Sequence, residues 1–435
     1  MAVSTPALYE TLGELVGPGH VVRDPVALAG YAVDGVVPGA VVRPGTAEEV
    51  GRVLALCAGE GLAVVARGAG RALGLGNPPR RADLVLELTR LGAVREYVPE
   101  DMVATVEAGL TLGALASHLA SQRQMLALDP PAWRARTVGG VLATHASGPL
   151  RFRYGTGRDL LLGARFVQAD GTLTWGGAKV VKSVTGYDVP KLLVGSLGTL
   201  AILVEATVRL HPIPPARRSW QIGLGSADAA AGFLAALLDS PLQPERVALL
   251  DEAALRRAGL GPQPLAVLLT IGSVAEAVEQ QGQALAALAR GHAARVESLA
   301  EPAWAGLDEA VAAPVLLRLA CEPRRLLHHL AAAQAAARGL GVEIASLAQP
   351  GHGVLQMALR GVAAPEAMTG LIQALRGAAE GEGGSLVVER APVELKALCE
   401  AWGSINSEVL EIMKRIKNEF DPARSLSPGR FVGGL

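Results

Sequence analysis

Glycine-rich turns are the first feature of this sequence that could do chemistry. Residues 67–74 read Arg-Gly-Ala-Gly-Arg-Ala-Leu-Gly and follow an apolar, strand-like run. Such glycines let a backbone expose its N–H groups to a phosphate. The spacing is GxGxxxG, and Asn77-Pro78-Pro79 stand where a Rossmann or P-loop site requires a helix. The sequence therefore predicts a turn between two strands that either cradles a phosphate or is a plain glycine turn.

Two further glycine clusters follow. In residues 130–148, Thr137 is expected to cap a short helix that begins with Gly139 and Gly140. A helix start with two glycines suits an anion, and a close crossing of helix and strand is the alternative. Residues 182–200 read KSVTGYDVPKLLVGSLGTL and lead into a long apolar strand. Three glycine loops in this order indicate a particular protein family more specifically than any one of the loops does alone.

The elements that must position these loops differ along the chain. Glycine loops separate short strand-like runs up to about residue 215, and Ala/Leu-rich helices alternate with apolar strands beyond it. A helix is predicted between the capping box Thr46–Glu49 and the stop at Gly59–Gly61, and a hairpin at residues 161–175. The second half suits helices packed on one face of an antiparallel sheet.

Composition excludes several classes of function. The 435 residues carry 40 Lys+Arg against 41 Asp+Glu, and only 3% are aromatic, which argues against a nucleic-acid partner. Cys57, Cys321 and Cys399 are too far apart to hold an iron–sulfur cluster or a structural zinc. The most apolar run, residues 192–204, is too short to span a bilayer, and the N-terminus does not resemble a signal peptide. We therefore expect a cytoplasmic protein.

Taken together, the three loops resemble the FAD-binding domain of the vanillyl-alcohol oxidase and p-cresol methylhydroxylase type. Residues 137–159 and 182–212 are more specifically similar to the FAD-binding E subunits of bacterial glycolate oxidases. The resemblance implies an α+β fold, with a two-part FAD-binding domain at 1–215 and an α+β cap domain with an antiparallel sheet at 216–435. It also implies that a terminal helical segment returns to the FAD domain.

The resemblance implies non-covalent FAD as the cofactor. Relatives that bond FAD covalently use a His in the first loop or a Cys in the second, whereas Arg71 occupies the first position and the second loop has no Cys. His145 stands where Asn is usual, and it is either a structural histidine or a flavin contact. The implied cofactor-binding residues are Arg67, Gly68, Ala69, Gly70, Arg71, Ala72, Gly74, Thr137, Gly139, Gly140, Ala143, Ser147, Gly148, Tyr154, Gly155, Gly198 and Ile202.

Catalytic groups are harder to assign. Catalytic relatives with a single chain carry a metal-binding HxGDGNxH pattern and a later His-Gly pair, whereas Gly351-His352-Gly353 and residues 388–391 (VERA) stand in those regions here. No metal site is therefore expected. Arg318 and Arg430 are candidates to bind a carboxylate. Lys414, Arg415 and Lys417 are expected on the solvated side of a terminal helix.

The resemblance implies an FAD-binding subunit of a glycolate oxidase complex. It would take part in oxidation of glycolate, or another small 2-hydroxy acid, to the oxo acid. Electrons would pass to a second flavin subunit and an iron–sulfur subunit, and any attachment to a membrane would run through these partners. Two alternatives stay open: a stand-alone FAD-dependent 2-hydroxy-acid dehydrogenase that uses His352 or an arginine, and a structural subunit that has lost FAD.

Overall fold

The computed structural model describes residues 6–179, 186–361 and 363–435. These divide into two compact units. Unit 1 consists of Met1–Ser147, Thr156–Pro212 and Ser404–Leu435, and unit 2 of Gly148–Gly155 and Ile213–Gly403. Residues 182–185 of the third glycine cluster lie outside the described part of the chain.

The elements alternate along the chain. The strands are β1 (Val21–Val22), β2 (Ala40–Val42), β3 (Val64–Arg67), β4 (Leu84–Glu87), β5 (Val94–Val98), β6 (Val103–Glu107), β7 (Gln124–Met125), β8 (Leu161–Val167), β9 (Leu173–Gly177), β10 (Ile202–Arg209), β11 (His211–Pro212), β12 (Ala216–Leu224), β13 (Pro244–Asp251), β14 (Leu265–Ser273), β15 (Arg295–Leu299), β16 (Val315–Ala320), β17 (Glu343–Gln349), β18 (Val354–Arg360) and β19 (Ser385–Arg390). The helices are α1 (Pro6–Val16), α2 (Pro25–Ala29), α3 (Ala47–Gly59), α4 (Leu112–Leu119), α5 (Val138–Thr144), α6 (Arg151–Tyr154), α7 (Gly157–Leu160), α8 (Val189–Leu193), α9 (Ala227–Asp239), α10 (Glu252–Arg257), α11 (Ala275–Gly291), α12 (Leu307–Ala310), α13 (Leu326–Arg338), α14 (Pro365–Gly381), α15 (Val393–Leu398) and α16 (Ser407–Phe420).

Unit 1 contains two main sheets. One has the order β1-β2-β4-β3, with β2, β4 and β3 parallel, and the other is the antiparallel sheet β5-β6-β10-β8-β9. The helix α3 starts as expected, because the Thr46 side chain accepts from the N–H of Glu49 at 3.1 Å. The Glu49 carboxylate turns back to the N–H of Gly45 instead of Thr46. The hairpin is confirmed: β8 and β9 pair, and Gly171 has φ +90° in the turn.

Unit 2 contains one antiparallel sheet of order β15-β12-β14-β13-β17-β18-β16-β19. Strand alternation sends Val247 and Leu249 to a core with α9, α11, α13 and α14, and sends Ala248 and Leu250 to a second core with α10 and α12. The expected antiparallel α+β arrangement is confirmed. The expectation that helices cover one face only is wrong, because both faces of this sheet are apolar.

The terminal helix α16 corrects another expectation. Lys417 is not on a solvated face, since its side chain is only 1% exposed. Val409 and Ile412 on the same helix are instead exposed, at 45% and 58%. The charged residue is buried because it has acceptors in the surrounding backbone, which an amphipathic pattern does not reveal.

Candidate functional site

The first glycine loop continues directly from β3 in unit 1. Among the described residues, none accepts a hydrogen bond from the backbone N–H groups of residues 68–72. Gly70 has φ +73°, in the region that favours glycine. A Cβ on Gly68 would lie 2.1 Å from the Thr137 Oγ1 atom. This loop therefore presents free backbone donors and has no space for a side chain at Gly68.

The second loop is held by its own cap. The Thr137 side chain accepts from the N–H of Gly140 at 3.2 Å, and α5 begins at the next residue. A Cβ on Gly139 would lie 2.7 Å from the Ala108 Cβ atom, so α5 packs closely on the end of β6. The expected short helix and the close crossing of helix and strand are therefore both present.

The third loop is hydrogen-bonded to the second. The N–H groups of Gly195 and Leu197 donate to the carbonyls of Leu142 and Ala143 at 2.9 and 2.8 Å. Gly198 has φ +67° and leads through Thr199 toward β10. These bonds hold the start of β10 beside α5.

All three loops line one cleft in unit 1, which contains about 890 Å³ of empty space including its open mouth. Four arginines line it, Arg67, Arg71, Arg136 and Arg430, and none of the described lining residues is Asp or Glu. The cleft is therefore suited to an anionic ligand whose phosphates accept from backbone N–H groups.

Twelve of the seventeen residues expected to bind the cofactor line this cleft. They are Arg67, Gly68, Ala69, Gly70, Arg71, Ala72, Thr137, Gly139, Gly140, Ala143, Gly198 and Ile202. Gly74 and Ser147 belong to unit 1 but do not line it. Gly148, Tyr154 and Gly155 belong to unit 2, where the Tyr154 hydroxyl donates to Glu245.

Sequence reasoning missed two arginines of the cleft. Arg136 was not singled out, although it directly precedes the cap Thr137. Arg430 was considered only as a carboxylate ligand, whereas its Nη2 atom donates to the carbonyls of Leu73 and Leu75. The Pro-Gly-Arg pattern was the available signal for Arg430. Its partners are more than 350 residues away in the chain, so the pattern did not indicate them.

His145 occupies a structural position. It ends α5 with φ +50°, and its Nε2 atom lies 3.1 Å from the Thr156 Oγ1 atom. Thr156 in turn donates through its N–H and hydroxyl to Asp159. Burial raises the pKa of Asp159, but the bonds from Thr156 outweigh it and leave that pKa below its usual value. This network favours the structural interpretation of His145.

Unit 2 has a polar cluster on three neighbouring strands. Arg318 on β16 lies opposite Gln356 on β18, and Glu389 follows on β19. The Glu389 carboxylate accepts from the Arg318 Nε atom at 2.8 Å and from the Gln356 Nε2 atom at 3.0 Å. Arg318 remains 36% exposed, and its two terminal nitrogens have no partner among the described residues. The cluster presents an oriented guanidinium that can bind a carboxylate.

A different carboxylate of unit 2, Glu245, is buried and fully paired. Glu245 is 0% exposed and accepts from Arg217 Nε at 2.8 Å and from the Tyr154 hydroxyl. Burial, then the Glu245 hydrogen bond and charge, raises the pKa of Tyr154 well above its usual value. Tyr154 therefore stays protonated and helps to hold α6 on β13.

Metal ligands are not assembled in the described part of the chain, where no three His, Cys, Asp or Glu side chains come together. His352 instead packs edge-on against the Phe152 ring, at 6.2 Å between centroids. Burial and the nearby Arg151 charge lower the pKa of His352. Within the same described residues, no helix is long and apolar enough to cross a membrane.

Two known sequence families match this chain. Residues 38–177 match the FAD binding domain, and residues 213–431, half of the chain, match the C-terminal domain of FAD linked oxidases. The glycolate oxidase subunit GlcD of Bacillus subtilis (strain 168) is 29% identical over 91% of this chain and 89% of its own length. A D-lactate dehydrogenase of Archaeoglobus fulgidus is 38% identical, over 40% of this chain and 38% of its own length.

Solved structures share the fold. p-Cresol methylhydroxylase superposes with a TM-score of 0.78 at 16% identity, covering 98% of this chain and 96% of that one. Alkyldihydroxyacetonephosphate synthase superposes with a TM-score of 0.77 at 17% identity, covering 98% and 86%. The expected p-cresol methylhydroxylase fold, the glycolate oxidase resemblance and the FAD cofactor are thereby confirmed. The free amides, glycines and arginines of the cleft fit the pyrophosphate of FAD, and the chain belongs to the FAD-linked oxidase family of oxidoreductases.

Proposed function

We propose that this chain is an FAD-binding subunit that takes part in the oxidation of a small 2-hydroxy acid, with glycolate as the first candidate. The observation that carries the proposal is the glycine cleft of unit 1, with four arginines and no described carboxylate in its lining. The similarity to a glycolate oxidase subunit over 91% of the chain supports the substrate class. D-Lactate and D-2-hydroxyglutarate dehydrogenases among the relatives support the same chemistry.

The cleft residues would hold FAD without a covalent bond. The backbone N–H groups of residues 68–72 would donate to the pyrophosphate, and Gly139 and Gly140 would let α5 approach the other side. Neither His nor Cys occurs among the described residues that line the cleft. When bound, FAD supplies the two-electron acceptor that 2-hydroxy-acid oxidation requires.

Arg318 is the candidate group for the substrate carboxylate. Glu389 orients its guanidinium through Nε, which leaves the two terminal nitrogens as a fork for a second carboxylate. The Glu389 carboxylate accepts from Arg318 with one oxygen and from Gln356 with the other, and its role on this proposal is to orient Arg318.

On this proposal, the reduced flavin has to pass its electrons to a partner subunit. The three cysteines are free and distant from one another in sequence, so they cannot hold an iron–sulfur relay. We propose a second flavin subunit and an iron–sulfur subunit as partners, in the cytoplasm, with any membrane contact made by those partners.

Two other functions can be weighed against this proposal. A stand-alone dehydrogenase would use Arg318 together with His352, whose Nδ1 atom is buried without a hydrogen-bond partner. A structural subunit without FAD would have no need of the open backbone donors at residues 68–72. The intact glycine loops therefore favour a chain that binds FAD.

An anaerobic titration of the purified chain with glycolate, followed by the visible flavin spectrum, separates these functions. A flavin that stays oxidised alone and is reduced after partner subunits are added supports the proposed subunit. A flavin that glycolate bleaches in the isolated chain supports the stand-alone enzyme. A colourless chain that takes up no added FAD supports the structural subunit. D-Lactate titrated in parallel tests the choice of hydroxy acid.

A further inference from the structure

The lysine near the end of α16 is buried with all of its donors used. The Lys417 Nζ atom donates to the Thr199 carbonyl at 2.6 Å, the Asp421 Oδ2 atom at 2.7 Å and the Leu426 carbonyl at 3.1 Å. A buried charge is costly unless it is paired and hydrogen-bonded. Burial lowers the pKa of Lys417, and the charge of Asp421 acts in the opposite direction. The three hydrogen bonds of the Lys417 ammonium therefore form together only when Thr199, Asp421 and Leu426 keep this arrangement.

The partner of this lysine fixes the turn that follows α16. Asp421 is 0% exposed, and it accepts from the Ser425 N–H at 2.9 Å and the Leu426 N–H at 2.8 Å. The Ser425 hydroxyl donates to the same carboxylate at 3.0 Å. The chain after α16 is therefore held in a single tight turn by one carboxylate.

From this turn the chain runs along the edge of β3. The Val64 N–H donates to the Ser425 carbonyl, and the Ser427 N–H donates to the Val64 carbonyl, both at 2.8 Å. Because β3 is the last strand of its sheet, this segment covers an edge that would otherwise be open. The first cofactor loop begins directly after this strand.

The same segment then binds the first loop. Arg430 Nη2 donates to the carbonyls of Leu73 and Leu75 at 2.7 and 2.5 Å, and the Asn77 N–H donates to the Arg430 carbonyl at 3.0 Å. Arg430 is 3% exposed, and burial lowers its pKa to about 10, so the guanidinium stays charged at neutral pH. Residues 73–77, where the first loop ends, are thus hydrogen-bonded to Arg430 in the C-terminal segment.

These contacts connect two loops of one cleft. We propose that residues 417–430, called the C-terminal clasp below, hold the third loop through Thr199 and the first loop through Leu73 and Leu75, and so set the affinity for FAD. Lys417 does not line the cleft and is a positioning residue. Loops that are already ordered lose less entropy when a ligand binds. The inference rests on the cleft being the FAD site.

The test compares apo-protein variants by their dissociation constants and release rates for FAD, measured by flavin fluorescence. Lys417→Met removes the bond to the third loop and is expected to weaken FAD binding at least tenfold and to speed its release. Lys414→Met is the matched control on the same helix, since the Lys414 side chain is 40% exposed and its ion pair is with Glu411 one turn earlier. The control is expected to stay within twofold of the wild type.

Hydrogen exchange gives a second readout that does not use FAD. In the apo-protein, Lys417→Met is expected to speed amide exchange in residues 68–76 as well as in residues 196–199. The effect on the first loop tests transmission through the clasp, because within the described part of the chain the Lys417 ammonium hydrogen-bonds to Thr199 of the third loop and to Asp421 and Leu426 of its own segment. Exchange that rises at the third loop alone contradicts the clasp.

A paired variant separates the clasp from general stability. Lys417→Met with Asp421→Asn removes both buried charges and keeps a side-chain oxygen that can accept from the Ser425 N–H and hydroxyl. The bond to Thr199 remains lost, so FAD binding is expected to stay at least tenfold weaker than in the wild type at a temperature where the variant is fully folded. A folded Lys417→Met or paired variant with wild-type FAD affinity overturns the inference. A wild-type chain that binds no FAD instead overturns the proposed function.

Discussion

Units 1 and 2 present polar groups in opposite ways. The cleft of unit 1 offers backbone amides on small residues and arginines with no carboxylate beside them in its described lining. Unit 2 pairs its cations with its own carboxylates, as in Arg318 with Glu389 and Arg217 with Glu245. The described lining of the unit 1 cleft therefore suits an anionic ligand, whereas unit 2 orients charged side chains through its own ion pairs.

On the proposed function, this difference separates recognition of the cofactor by unit 1 from recognition of the substrate by unit 2. Backbone donors demand small residues, so a bulky side chain in unit 1 is expected to abolish cofactor binding. A side-chain donor such as Arg318 binds its ligand through its own charge and shape. Substitutions of such donors in unit 2 are therefore expected to change turnover and to leave the flavin bound. Four experiments test this separation.

The largest effect is expected for Gly68→Ala in unit 1. The new Cβ would lie 2.1 Å from the Thr137 Oγ1 atom, and overpacking of about 3 kcal/mol corresponds to a loss of FAD affinity of roughly 100-fold. The ratio of flavin to protein absorbance and a fluorescence titration measure it. Gly370→Ala in α14 of unit 2 is the control, because no atom lies within 4 Å of its added Cβ. A yellow Gly68→Ala protein with wild-type affinity contradicts the role of this loop.

The next effect is expected for Arg318→Met in unit 2. Loss of charge-assisted bonds to the substrate carboxylate, worth about 2 kcal/mol, should lower kcat/KM for the hydroxy acid about 30-fold. The flavin content should not change. Steady-state kinetics of the complete enzyme measure both, with Arg324→Met as control because that side chain is 89% exposed. Unchanged kcat/KM would remove Arg318 from the substrate site.

A smaller effect is expected for Thr137→Val. Loss of the cap on α5 should lower the free energy of unfolding by about 1 kcal/mol and weaken FAD binding about fivefold. Thr137→Ser should restore both. Thr46→Val is the matched control, because it removes the cap of α3 away from the cleft. Equal FAD affinity in the two valine variants would show that the cap acts on stability alone.

The smallest effect concerns the cysteines and should leave activity unchanged. Burial, with the charge of Asp83, raises the pKa of Cys57 in unit 1 to about 12, and Cys321 in unit 2 is only half-buried. The thiolate is the reactive form, so Cys57 should resist a maleimide at pH 8 while Cys321 reacts first. Mass spectrometry of labelled peptides measures the order. Rapid labelling of Cys57 in the folded protein would contradict the packing of α3.

Local features were predictable because their causes lie within a few residues. Thr46 caps α3 from three residues away, and Gly171 makes the hairpin turn that its sequence indicated. The glycine loops were also visible, because a backbone that approaches a phosphate needs small residues wherever the chain folds back. Twelve of the seventeen expected cofactor residues line the cleft for this reason.

Side-chain partners across the fold were not predictable in the same way. The amphipathic pattern of α16 placed Lys417 in solvent, although its acceptor at Thr199 lies 218 residues away in sequence. For Tyr154, no sequence pattern indicated that its hydroxyl donates to Glu245, 91 residues away. Neither partner is marked by a local pattern.

The sequence by itself determined the loops that can approach a cofactor, because glycine spacing and capping residues act over short stretches of chain, and the family resemblance of these loops implied FAD. Only the tertiary structure decided that Arg318, Gln356 and Glu389 meet on one sheet, and that Arg430 supports the first loop. The physical reason is that strand order and register bring distant residues together, and the free energy of a buried charge depends on those neighbours.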